Sequence, residues 1–395
     1  MPQTNGNRLT ILFLGQLLFT ASFSIDLTLT GIVGYQLAPD RTLATLPYAL
    51  ITLVACLTTF FASILMGRLG RKVGFILGAS AGIAGGLVSF QALAAHSFLL
   101  FCCGTAAVGV FQAFAQYYRL AAADNHESDA ARARSIATVL SGGVIASILG
   151  PLLASLGDDL IPGLPHAGAY LFVAVLASFS ALLMLGLKDN TRQIPLQGGR
   201  KISLRFLRQI TPTERRSYLL AVATNALSYS VMMVLMSITP IHVLQQGHDV
   251  TLVSKMMMAH LFAMFSSSPL SGWLYNRMGA STTIMTGLTL LIGVALLNVT
   301  VSNVYGLCLS LFMLGLAWNI LFVAGSTLLA AAVPHEEYRP GAQGFSEFVT
   351  VLCTAIGCFA SGAALKGVGW EWINYIITVT IVLFGARLII FYKKL

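Results

Sequence analysis

Two short runs in the middle of this chain carry side chains at a spacing that could hold a soft metal ion: Met232-Met-Val-Leu-Met236 and His260-Leu-Phe-Ala-Met264. A spacing of four puts both members of each pair on one helix face. Met232 and Met264 are symmetric about His248, as are Met236 and His260, and His248 lies in the polar stretch Gln245-Gln246-Gly247-His248-Asp249. If that stretch turns an antiparallel helical hairpin, Met236 stands level with His260 and Met232 level with Met264. Three thioethers and one imidazole then face a common point, a donor set that suits Cu(I) before other cations. Met233, Met256, Met257 and Met258 crowd the same region, where an even spread of the chain's methionines would put about one. Methionine also fills gaps in apolar cores, so the cluster has a packing reading too. The histidine placed symmetrically within it is what favours a metal.

The elements that must position these residues are membrane helices. Hydrophobic residues make up 56% of the chain and charged residues 9%, and the mean hydropathy is +0.81. Such a composition describes an all-α polytopic membrane protein. Twelve apolar stretches of spanning length fall near 10–32, 45–66, 74–95, 98–120, 134–155, 167–187, 217–243, 251–273, 281–301, 304–333, 343–366 and 370–392. The first has no small-residue cleavage pattern ahead of a soluble region, so it reads as retained rather than as a signal peptide.

Lys and Arg set the orientation. They crowd into the even-numbered connections and both ends: Arg68, Arg71 and Lys72; Arg132 and Arg134; the run from Lys188 to Arg216; Arg277; Arg339; Lys393 and Lys394. The other side has Arg41, Lys255 and Lys366. Both termini are therefore expected in the cytoplasm. The net charge of +9 is accounted for by this asymmetry, and no nucleic-acid-binding motif accompanies it. The long polar connection 188–216 divides the chain into an N-terminal bundle of six spans, 1–187, and a C-terminal bundle of six, 217–395. Two such halves are expected to rock about a central site.

The halves share a signature between their second and third spans: Ser63-Ile-Leu-Met-Gly67-Arg68-Leu-Gly70-Arg71-Lys72 and Gly272-Trp-Leu-Tyr-Asn276-Arg277-Met-Gly279-Ala280. Both resemble the G-x-x-x-D-R-x-G-R-R/K loop of the major facilitator superfamily, with Gly67 and Asn276 in place of the usual acid. The resemblance implies that fold, with twelve transmembrane helices in two six-helix bundles. Tyr118-Arg119-Leu-Ala-Ala-Ala-Asp124, Thr239-Pro240, Met264-Phe-Ser-Ser-Ser-Pro-Leu-Ser-Gly272 and Trp318-Asn319-Ile-Leu-Phe-Val-Ala-Gly325 narrow it further. With the two metal-type runs, the chain resembles the CcoA-like copper importers, a branch carrying Met-x-x-x-Met in the seventh span and His-x-x-x-Met in the eighth. That resemblance implies Met232, Met236, His260 and Met264 as copper ligands, copper as cargo with no permanently bound cofactor, the bacterial inner membrane as location, and a cytoplasmic copper acceptor serving respiratory oxidases. Related transporters of the branch carry riboflavin without this ligand pattern.

Other polar residues in the spans have two readings each. Asp26, in the middle of the first span, would cost about 2.5–3.5 kcal/mol at the bilayer centre, so it is expected to face a cavity and to couple a proton or cation; its alternative is a helix contact. Arg119, Asp124 and Glu347, near cytoplasmic span ends, read as an interfacial charge network. Gly150-Pro151, flanked by Ala146 and Ala154, reads as close packing or a kink. His242, His248 and Asp249 stand at the outer mouth of the hairpin, where histidines are usually solvated. The six cysteines form no C-x-x-C and sit in apolar spans, where they act mostly as small hydrophobes.

Three functions fit these residues: a copper importer, a carrier of a small organic solute such as a flavin or drug, and a membrane sensor. A sensor would be expected to carry a large soluble domain, and an enzyme a nucleophile–base pair or a metal-hydrolase motif. The orientation yields a direct prediction. In a background lacking native cysteines, single cysteines at Asp158 and Gln197 label from opposite sides of the membrane with an impermeant maleimide; labelling from the same side contradicts the topology.

Overall fold

The computed structural model describes residues 5–123, 129–188, 210–301, 303–333 and 339–392, and among them every regular element is helical. The long helices are α1 (Asn5–Leu37), α2 (Leu46–Leu69), α3 (Arg71–Ala94), α4 (Phe98–Ala115), α6 (Asp129–Asp158), α7 (Ala167–Leu185), α8 (Pro212–Gln245), α9 (Val250–Ser266), α10 (Ser268–Thr300), α11 (Val304–Ala331), α12 (Arg339–Gly367) and α13 (Gly369–Tyr392). A six-residue helix, α5 (Tyr118–Ala123), follows α4. Helix is the form an apolar chain must take here, because hydrocarbon offers no partner to a backbone N–H or C=O. Eleven of these helices are long and apolar enough to cross a membrane, and Val250–Ser266 is a shorter apolar one.

That short helix corrects the expected eighth span, 251–273. Pro269 lacks the N–H that would continue the ladder, and the helix breaks at Ser267, where α10 begins. The backbone then runs on helically to Gly279, whose φ of 76° and ψ of 173° turn the chain into the ninth span. Gly70 has φ 87° and ψ 161° between α2 and α3. The two halves thus make the same turn at corresponding glycines, a conformation that a side chain strongly disfavours. In the first half, Lys72 Nζ donates to Leu185 O at the C-terminal end of α7, 2.6 Å away. In the second, the Arg277 guanidinium stands 5.6 Å from the Trp273 ring centroid. The fourth expected span, 98–120, is likewise divided, into α4 and α5.

Among the described residues, those of Met1–Gly199 and Val243–Met258 form one compact unit and those of Arg200–His242 and Ala259–Leu395 the other. The sequence division at 188–216 would put Val243–Met258 with the second half. In the first unit α1 packs on α6 through a stripe of small residues, Gly142, Ala146, Gly150 and Ala154, one per turn. Ala146 and Ala154 are fully buried. A Cβ on Gly150 would overlap Ser24 Cβ and stand 2.7 Å from Ala21 O. The Gly150-Pro151 pair therefore has a packing role, and its helix continues through Pro151.

The second unit is tied by a polar chain. Asn298 Nδ2 donates to Asn374 Oδ1 (2.9 Å), Ser310 Oγ donates to Asn298 Oδ1 (2.5 Å), and Trp370 Nε1 donates to Asn298 O (2.8 Å). These bonds fix α10, α11 and α13 at one height.

The α1–α6 contact predicts an asymmetric response to alanine. Gly150→Ala should destabilise the detergent-solubilised protein by about 1–3 kcal/mol through overpacking. Gly272→Ala, whose Cβ would meet nothing within 4 Å beyond its own helix backbone among the described residues, should leave the thermal midpoint unchanged or raise it slightly. Equal midpoints for Gly150→Ala and the parent contradict the packing account.

Candidate substrate site

Helix α8 presents Asn225, Tyr229, Met232 and Met236 along one stripe, at successive spacings of four, three and four. Its reverse side lies against α12: a Cβ on Gly357 would be 3.0 Å from Val234 Cγ2, and the hydroxyls of Ser237 and Ser361 are 2.9 Å apart. Met232 and Met236 therefore face away from α12. Both are buried, Met236 completely.

Helix α9 begins at a defined turn. Gly247, at φ 85°, lets its own N–H reach Leu244 O and the His248 N–H reach Val243 O, the double closure that ends a helix at a left-handed glycine. Asp249 Oδ1 then accepts from Leu252 N at 2.9 Å and caps α9. The turn at 246–249 is thus where the Met/His symmetry requires it. His260 follows, completely buried. Its Nδ1 is 2.9 Å from Leu311 O, a carbonyl that can only accept, so Nδ1 carries the proton. Its Nε2 is buried and has no hydrogen-bond partner among the described residues. This is the arrangement of an imidazole oriented from behind, with a lone pair left for a ligand. Met264, one turn later, is partly exposed.

Helix α11 sets the height of both pairs. Asn225 abuts Gly325 and Tyr229 meets the rings of Trp318 and Phe322, so α8 runs antiparallel to α11. Continued along α8, this register brings Met232 level with Ala317 and Met236 level with Met313. On the other side, His260 bonds Leu311 O and Met264 O accepts from Asn319 Nδ2 at 2.9 Å, so α9 runs parallel to α11. His260 and Met264 then stand level with Met313 and Ala317 too. By this register along α11, Met236 and His260 fall at one height and Met232 and Met264 at another. The close approach of α9 and α11 depends on Gly315, where a Cβ would overlap His260 O and lie 3.1 Å from Met264 N.

Among the described residues no three His, Cys, Asp or Glu side chains gather into a metal-holding group. A metal in this chain would depend on methionine sulfur beside His260. His242 instead stacks on Trp370, centroids 4.2 Å apart, and Asp249 is engaged as the α9 cap. All six cysteines are free thiols.

In the first unit Asp26 is completely buried on α1. Thr30 Oγ1 donates to its Oδ1 over 3.5 Å and is 3.4 Å from Tyr170 OH on α7. The other oxygen, Oδ2, is buried and has no hydrogen-bond partner among the described residues. Arg119 on α5 and Glu347 on α12 are exposed, and Asp124 lies outside the described residues. Of the loop residues, Arg68 is exposed, and Gly70, Lys72, Arg277 and Gly279 hold the turns described above. Sequence reasoning missed Arg8, which is buried and donates to Lys188 O and Ala121 O, each at 3.2 Å. It also missed Leu311 and Gly315, and quoted Asn319 only within a run that carries the resemblance; the spacing of four that joins the three on α11 was the available signal.

Known proteins share this architecture. The Major Facilitator Superfamily profile matches residues 12–223 and 218–394. The riboflavin transporter RfnT of Brucella anthropi is 33% identical over 370 residues, covering 93% of this chain and 92% of that protein. The uncharacterized MFS-type transporter YdeG of Bacillus subtilis is 26% identical, over 91% of this chain and 86% of that one. Among solved structures, a D-xylose–proton symporter superposes with a TM-score of 0.73 at 13% identity, over 97% of this chain and 96% of that one. The human organic anion transporter MFSD10 superposes with a TM-score of 0.66 at 17% identity, over 98% and 100%. Helices, repeated turns and relatives agree: the chain belongs to the Major Facilitator Superfamily and is a secondary transporter rather than an enzyme.

Proposed function

We propose that this transporter imports copper across the cytoplasmic membrane by alternating access, with Met232, Met236, His260 and Met264 as the transient ligands. One observation carries the reading: the fully buried His260 has Nδ1 tied to Leu311 O and Nε2 without a partner, at the height of Met236. An unpartnered buried nitrogen is costly unless something binds there.

The donor set suits a carried ion rather than a resident one. Thioethers bear no proton at accessible pH, so copper displaces none from the methionines, and His260 ligates as the neutral ring. Soft sulfur ligands select Cu(I). Thioether bonds exchange readily, and a carrier must release in one state what it binds in the other. The buried carboxylate of Asp26, with Oδ2 open, supports a role in coupling transport to a proton or cation. Arg119, Asp124 and Glu347 remain proposed as a charge network at the cytoplasmic ends. The cytoplasmic copper acceptor, the inward direction and the cytoplasmic placement of the termini belong to the same proposal.

A second reading is a carrier of a small organic solute, and the comparisons favour it over copper. The relative whose name carries a substrate close in sequence carries riboflavin. Tyr229, Trp318 and Phe322 also form an aromatic group, with Trp318 and Phe322 stacked at 5.0 Å, against which a flat ring system could lie. In that case the methionines are an adaptable apolar wall.

Uptake of radioactive copper and of riboflavin, measured side by side in cells with and without the protein, separates the two. Saturable copper uptake that depends on the protein supports the first; riboflavin uptake alone supports the second.

Met→Leu conserves volume and costs under about 1.5 kcal/mol in a core, but removes the sulfur donor. Met232→Leu, Met236→Leu and His260→Leu should each lower copper accumulation about tenfold or more at unchanged abundance. Met233, rotated from Met232 by about 100°, is the control, and Met233→Leu should transport as the parent does. Parent-like transport by all four variants contradicts the ligand assignment.

Asp26→Asn keeps the shape and removes the charge. We expect normal abundance with an altered dependence of uptake on pH. An unchanged pH–rate profile would make Asp26 a structural contact.

A further inference from the structure

The break in the eighth span lies immediately after the residue whose position the copper site most needs fixed, and one side chain from another helix closes it. Pro269 interrupts the ladder at the end of α9, and an interrupted ladder leaves carbonyls in need of donors in an apolar setting. Asn319 of α11 supplies them. Its Nδ2 donates both to Met264 O and to Ser268 Oγ, each at 2.9 Å, while its Oδ1 accepts from Ser271 Oγ at 2.5 Å. The amide thus spans the break, its Nδ2 end holding both the last turn of α9 and the first residue of α10, and its Oδ1 end the first turn of α10. It is itself buried, at 4% exposure.

Four residues before Asn319, Gly315 lets the α9 backbone come into contact at His260 and Met264; four before that, Leu311 O holds His260 Nδ1. One face of α11 therefore fixes the ring of His260, the separation of the helices and the carbonyl of Met264 in three successive turns.

We propose that Asn319 is a positioning residue of the substrate site, holding Met264 in register with His260 by bonding the Met264 carbonyl across the helix break. The inference rests on the copper reading. Asn319 does not ligate; it acts through the backbone to which the Met264 sulfur is attached. Without it, the last turn of α9 is free to unwind toward Ser267, and the thioether moves off the height of Met232 while His260, held by Leu311, stays.

The test is the Cu(I) affinity of the purified full-length protein in detergent, measured by competition with a chromophoric Cu(I) chelator, alongside helix content by circular dichroism. Asn319→Leu removes all three bonds. Asn319→Asp keeps the size and the acceptor for Ser271 but loses the Nδ2 donors, and Ser271→Ala removes the Ser271 hydroxyl with its bonds to Asn319 Oδ1 and Ser267 O while keeping both Nδ2 bonds. The proposal expects both Asn319 variants to bind Cu(I) about tenfold or more weakly than the parent, and Ser271→Ala to bind within about twofold. It further expects Met264→Leu to cause no additional loss in the Asn319→Asp background, since the sulfur is already misplaced.

Parent-like Cu(I) affinity in Asn319→Asp overturns the proposal and leaves the copper reading standing, as does an equal loss in Ser271→Ala. Should Asn319→Leu fail to fold, the comparison of Asn319→Asp with Ser271→Ala decides alone. A parent protein that binds no Cu(I) at all overturns the copper reading, a result distinct from any of these.

Discussion

A polar atom inside an apolar bundle must find its partner within the protein, because the surroundings offer none. That constraint orders this molecule. Serines and threonines on α1 turn back onto their own helix: Ser24 Oγ donates to Thr20 O and Thr28 Oγ1 to Ser24 O, both at 2.7 Å. Asn298 and Asn374 pair with each other, and Arg8 is absorbed by two carbonyls. Against this background, the buried atoms left without a partner carry information. Asp26 Oδ2 and His260 Nε2 are among them. An oxygen and a nitrogen kept open at such cost are what a transporter needs where an ion or proton binds and leaves.

The same constraint explains why α11 matters more than its plain apolar sequence suggests. A site built on two helices of a hairpin is only as well defined as the register between them, and the hairpin turn alone fixes that register loosely. Helix α11 touches both partners, α8 through Asn225 and Tyr229 and α9 through His260 and Met264. It serves as a common gauge for residues that do not bond one another. A carrier gains from this arrangement, since a small slide of α9 along α11 changes the geometry at His260 and Met264 without unfolding either helix.

Much of the architecture was legible in the sequence, for reasons that can be named. Spanning helices announce themselves by long apolar runs, and the repeated turns by Gly70 and Gly279, which need a backbone conformation that other residues avoid. The position of the hairpin turn followed from the polar stretch Gln245-Gln246-Gly247-His248-Asp249 and from the symmetry of the Met/His pairs about His248. The Met/His pairs were visible because a spacing of four survives folding intact. What stayed hidden depends on contacts between distant segments. Nothing local marks Gly315 as the point where two backbones touch, or Leu311 O as the acceptor for His260 Nδ1, since 51 residues separate that pair. The break at Ser267 was within reach: Pro269 signalled it, but the apolar run on either side concealed its effect. The expected eighth span was continuous for that reason.

We propose that copper is held by methionine sulfur and the imidazole of His260. Copper K-edge X-ray absorption on the purified protein loaded with one equivalent of Cu(I) tests it most directly, because sulfur and nitrogen neighbours scatter distinguishably. The account predicts a first shell dominated by thioether sulfur with one imidazole nitrogen, and loss of the imidazole signature in His260→Leu. A shell of oxygen and nitrogen alone, or an imidazole signature unchanged in that variant, would contradict it.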